Sequence, residues 1–107
     1  MKYELSASAQ ADLAKIVDPH RALLRAAMAA FAKACGTHEK PADIRFPAAL
    51  RVKAVEGAAG VFEMTWSYAG PDGRATFEWA EVASGDGTVE PMVRWRRIGT
   101  HEIFKRP

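Results

Sequence analysis

The spacing of apolar residues changes near the middle of the chain. Between residues 9 and 35 they recur at intervals of three and four, which lines up one stripe along a helix. Two helices are expected there. Ser8 can accept hydrogen bonds from the open amides of the first, whose inward face is Ala9, Leu13, Ile16 and Val17. Asp18 followed by Pro19 marks a second start, since aspartate caps orphan N–H groups and proline is tolerated at the first helical position. That helix carries Leu23, Leu24, Ala27, Met28, Phe31 and Cys35 on one stripe and ends at Gly36.

Beyond Pro41 and Pro47 the pattern alternates. Phe62, Met64, Trp66 and Tyr68 share one face of a strand, with Glu63 and Thr65 on the other. Pro71, Asp72 and Gly73 form a tight turn, after which Ala75, Phe77 and Trp79 point inward and Arg74, Thr76 and Glu78 outward. A second turn over residues 84–88 leads to a last strand with Val93 and Trp95 inward and Arg94 and Arg96 outward. Tyr3 to Leu5 is a further short strand. The expected fold is α+β: two N-terminal helices on one face of an antiparallel sheet of three to four strands. The opposite face is expected to stay open, gathering Glu63, Thr65, Arg74, Thr76, Glu78, Arg94 and Arg96.

Composition narrows the picture. A chain of 107 residues makes one domain, residues 1–107. With 49% hydrophobic and 26% charged residues it is neither a disordered tail nor a disulfide scaffold. No stretch approaches the roughly 18 apolar residues of a membrane span, and the first ten residues lack the apolar core of a signal peptide, so a cytoplasmic protein is expected. Cys35, the single cysteine, reads as a small buried apolar residue. A net charge of +2 is too small to prove a nucleic-acid partner, but it is unevenly spread. Arg94, Arg96, Arg97, Lys105 and Arg106 face only Glu102 in the last stretch.

The open face thus holds carboxylates and guanidinium groups, with His101 beside it. These are the parts of a metal-free ribonuclease: a base takes the ribose 2′-OH proton, arginines stabilise the charged phosphorane, and an acid protonates the leaving 5′ oxygen. His101 can be that acid because histidine titrates near neutral pH. Each residue also has an ordinary reading. His101 can be a solvated strand-end residue, Arg74 can pair with Glu63, Arg94 and Arg96 can shield a strand from edge pairing, and Phe104 can pack on the core. His20 and His38 are given no role.

The order of elements and the tail resemble the RelE/ParE toxin superfamily of toxin–antitoxin systems. The likeness runs through "SASAQADLAKI", "LRVKAVEGAAGVFEMTWS", "GRATFEW" and "RWRRIGTHEIF"; "RIGTHEIF" is especially similar to the Gly-Thr-His ending of the YafQ-like messenger-RNA endonucleases. The resemblance implies a RelE-like fold and cleavage of ribosome-bound messenger RNA without a cofactor or metal. It also implies a catalytic His101, Arg74 on the scissile phosphate and Lys53 at a basic position of the family; for the general base Glu63 is the first choice, Asp72 the second and a lysine with a lowered pKa the third. Lys53 and Trp66 stand where that branch has histidines, and Phe104 replaces an aromatic hydroxyl, so it can stack on a base but exchange no proton. Arg94, Arg96 and Arg97 complete the expected RNA-binding set. The expected partners are an antitoxin protein, in a hetero-oligomer, and the ribosome with its messenger RNA. Two alternatives remain: a ParE-like toxin that inhibits DNA gyrase without chemistry, and an inactive family member.

Overall fold

The computed structural model describes residues 1–36, 40–67 and 73–107. The turn expected at 71–73 lies outside them except for Gly73, as do Tyr68, Asp72 and His38. The elements are β1 (Lys2–Leu5), α1 (Ala7–Ala14), α2 (His20–Cys35), β2 (Lys53–Ala54), β3 (Val61–Ser67), β4 (Gly73–Ala83) and β5 (Val89–Gly99). A 3₁₀ segment, His101–Lys105, follows the last strand. The fold is α+β, as expected.

The sheet is larger than expected and mixed. Its order is β1-β5-β4-β3-β2, with β1 parallel to β5 and the other pairs antiparallel. β1 and β5 are free to pair in parallel because no tight turn joins them: both helices and three strands lie between them in the chain. The fifth strand, β2, has two residues, too few for an alternation to register.

Both helix starts differ from expectation. Ser6, not Ser8, caps α1: its Oγ accepts from the Ala9 amide at 3.0 Å and donates to the Arg96 carbonyl at 2.8 Å. The cap therefore also ties α1 to β5. The helix ends at Ala14, so Val17 falls beyond it and is 66% exposed. α2 starts at His20, after Pro19, with no side-chain cap from Asp18. Its first amides instead reach the Val17 and Pro19 carbonyls. Arg21 turns back to donate to the carbonyls of Leu13 and Ile16, a cation at the end of the preceding helix.

The long helix docks through its stripe. Leu24, Ala27, Phe31 and Cys35 are buried. Leu23, about 100° around the helix from Leu24, is 41% exposed and not on the inward face. Phe31 is the central contact: its ring lies 4.8 Å from Phe46, 5.0 Å from Phe77 and 4.9 Å from Trp95. Phe77 in turn meets Trp95 and, across to β3, Phe62. One aromatic cluster thereby joins α2 to β3, β4 and β5.

Two irregularities shape the other side. Between β4 and β5 the register slips so that Thr76 pairs with Arg97 and Phe77 with Trp95, leaving Arg96 as an extra residue. This bulge sends Arg96 and Arg97 to the same face, where strict alternation would drive Arg97 into the core beside Trp95. Between β3 and β4 the extra residue is Trp66, whose indole N–H donates to the Arg74 carbonyl at 2.8 Å. The ring lies on Gly73, where a Cβ would fall 2.3 Å from Trp66 Cε2, so only glycine fits.

The polar face is not an open surface. Glu63, Thr65 and Thr76 are buried, with Thr76 wholly inaccessible. The tail folds back toward β4 and β5 and caps Thr76, whose hydroxyl donates to the Pro107 oxygen at 2.9 Å. Ile103 is buried in the same turn, near enough to Gly99 that a Cβ there would lie 2.9 Å from its Cγ2.

Candidate functional site

The polar face is organised in rows that run across the strands. Lys53, Glu63, Thr76 and Arg97 are successive register partners from β2 to β5, and Glu78, Arg94 and Glu4 form a second row on β4, β5 and β1. A third row places Arg74 between Thr65 and Gly99, two residues before His101. Since side chains of one row stand on one face, the topology brings most of the candidate residues to one side of the sheet.

Within that side the arginines are already engaged. Arg94 donates to Glu4 at 3.1 Å and to Glu78 at 3.2 Å, and Arg96 takes the other Glu78 oxygen at 3.1 Å. Arg97 grips Asp12 with two nitrogens, at 2.7 and 3.2 Å, while the Ile98 amide donates to the same carboxylate at 3.0 Å. Burial alone raises the Asp12 carboxyl, but hydrogen bonds from Arg97 and from the Ile98 amide, with the charges of Arg97 and Lys15, hold it below its ordinary value. Three cations thus meet three carboxylates, so the charge that any of them offers to a phosphate is already partly neutralised.

Other donors of the two arginines go to the tail. Arg96 Nε reaches the Pro107 oxygen at 3.0 Å and Arg97 Nη1 the Arg106 carbonyl at 3.1 Å. Beside them a cleft of about 540 Å³ opens between the start of α1 and β5, with Ser6, Ser8, Asp12, Glu78 and the three arginines in its wall. Glu63 pairs with Lys53 at 3.8 Å, and its side chain is 11% exposed against 68% for the lysine. His101 is exposed and stands edge-on to Phe104, with ring centres 4.8 Å apart. Arg74 is half-buried and donates to the Gly73 carbonyl at 3.1 Å.

The expected residues therefore fall into separate groups. His101 touches Phe104, Lys53 touches Glu63, and Arg94 and Arg96 share Glu78. Among the described residues His101 and Glu63 share no contact, and Asp72 lies outside them. Lys105 and Arg106, on the tail with His101, have exposed residues and no ion-pair partner among the described residues. Asp12 and Glu4 escaped sequence reading because their partners lie 85 and 90 residues away and no local pattern announces them. Glu78 was legible as an outward residue, but not as the bridge between two arginines.

Among the described residues no group of three or more histidine, cysteine, aspartate or glutamate side chains could hold a metal ion, and no helix is long and apolar enough to cross a membrane. Comparison with protein-family models, curated proteins and solved structures finds no match to this chain.

Proposed function

We propose that this chain is a toxin of RelE/ParE type with a RelE-like fold, and that it cleaves messenger RNA on the ribosome. The observation that carries the reading is the exposed His101–Phe104 pair on a basic tail, beside the strand position of Arg74. In this mechanism His101 protonates the leaving 5′ oxygen, Arg74 neutralises the phosphorane, and Phe104 stacks on a base. Glu63, with Lys53 beside it, is the general base on the same sheet face, and Asp72 is the second choice. Lys105 and Arg106 supply the uncommitted charge that draws in the RNA backbone. Arg94, Arg96 and Arg97 contribute to phosphate binding less than their number suggests, because Glu4, Glu78 and Asp12 already offset their charge. A cytoplasmic location and an antitoxin that masks the basic face belong to the same reading.

Inducible expression of the wild type and of His101→Gln, followed by primer extension on a translated reporter, tests it. Cuts within codons should appear with the wild type and fall by about 10²–10⁴ in the variant, the range for a general acid–base residue. Equal cutting by both removes His101 from the mechanism. A second reading, a ParE-like toxin that binds DNA gyrase and performs no chemistry, is favoured by the neutralisation of the arginine trio by Glu4, Glu78 and Asp12. Growth arrest without cuts selects it, and absence of arrest selects an inactive family member.

A further inference from the structure

Backbone oxygens of two consecutive tail residues receive three donors from the sheet. The Pro107 oxygen accepts from Thr76 Oγ1 at 2.9 Å and Arg96 Nε at 3.0 Å, and the Arg106 carbonyl accepts from Arg97 Nη1 at 3.1 Å. Neither arginine is loose, because Glu78 holds Arg96 and Asp12 holds Arg97. Thr76 is inaccessible to solvent, so its hydroxyl depends on the tail for its acceptor. The arrangement is a preformed set of donors aimed at one short stretch of backbone.

That stretch ends the segment that carries His101. The 3₁₀ turn is held internally by the Ile103 amide on Thr100 and the Arg106 amide on Ile103, each at 3.1 Å. Ile103 anchors its middle against Gly99. His101 itself is exposed and has Phe104, on the same turn, as its neighbour. Its location relative to the sheet is therefore inherited from the turn, and the turn is secured by Ile103 and by the two clasped backbone oxygens.

We infer that Thr76, Arg96 and Arg97 form a clasp for the tail and are positioning residues for His101. The functional half of this inference rests on the endonuclease reading above; the clasp itself does not. Arg96 and Arg97, expected from the sequence to bind RNA, then act on the fold's own backbone. Exposed side chains need such a device because a catalytic group a fraction of an ångström out of place loses most of its effect.

The test combines amide hydrogen exchange on the whole protein with cleavage of ribosome-bound messenger RNA. Thr76→Val keeps the shape of the side chain and removes the donor, whereas Thr76→Ser keeps the hydroxyl. Exchange at Ile103 and Arg106 should rise about fivefold in Thr76→Val, the equivalent of one ordinary hydrogen bond, while β3 and β5 keep their protection and Thr76→Ser behaves as wild type. Cleavage should show a lower kcat at unchanged KM in the valine variant and recover in the serine variant. Arg96→Leu, changed at a side chain 39% exposed and so tolerant of substitution, should raise exchange at the same two amides. Unchanged exchange in the folded variants, or a uniform rise over the whole sheet, overturns the clasp. A wild type that cuts nothing overturns the endonuclease reading and leaves the exchange result to judge the clasp separately.

Discussion

Replacing Asp12 probes the contact that joins the first helix to the last strand. Its carboxylate accepts three hydrogen bonds, two from Arg97 and one from the Ile98 amide, and its side chain is 13% exposed. Asp12→Ala removes all three, strands the Ile98 amide and leaves a guanidinium that is 29% exposed without its counter-ion. A fully exposed ion pair would contribute about 0.2–1 kcal/mol, whereas hydrogen bonds to charged groups contribute about 1.5–3 kcal/mol and a stranded buried donor costs about 1–3 kcal/mol. Taking one such bond with the stranded amide, and allowing for solvent at Arg97, the expected loss is about 2–4 kcal/mol. Asp12→Asn keeps an acceptor for the Ile98 amide and should lose about half as much.

Urea unfolding as a function of pH reads out both the size and the cause. Because the folded Asp12 carboxyl lies below its ordinary value, its stabilisation is complete above the unfolded value of about 4 and is lost as pH falls through the lowered folded value. The stability gap between wild type and Asp12→Asn should therefore be widest near neutrality and close in acid. A gap that stays constant from pH 7 to below pH 3, or an Asp12→Ala loss under about 0.5 kcal/mol, would refute the assignment of this energy to a charged pair.

Two further substitutions examine the core. Phe31→Ala opens a hole where the rings of Phe46, Phe77 and Trp95 converge, and should lower urea stability by about 3–5 kcal/mol. Gly73→Ala drives a methyl group into the Trp66 indole and should cost about 1–3 kcal/mol, with a change in tryptophan fluorescence; full stability would contradict the close approach at that position.

The parts of this protein that could be read from the chain are those whose cause is local. The stripe of Leu24, Ala27, Phe31 and Cys35 follows from helical period, the glycine stop follows from Gly36, and the burial of Met64 on β3 and of Ala75 and Phe77 on β4 follows from alternation. The outward set was equally legible as a set of positions. Its fate was not, because what covers a sheet face comes from elsewhere in the chain: the tail buries Thr76, so polarity alone misjudges exposure there. The extra residue Arg96 in β5 is likewise invisible to an alternation count, yet it decides that Arg97 meets Asp12 rather than the core.

The candidate site divides along the same line. The residue types at His101, Arg74, Glu63 and the arginine run were apparent in the sequence, as was the chemistry open to them. Which charges remain available was decided by tertiary structure, since Glu4, Glu78 and Asp12 reach their arginines across the sheet and around α1. Sequence determines the charges and the face each strand presents; long-range pairing determines which charges are neutralised, because an ion pair depends on distance in space and not along the chain.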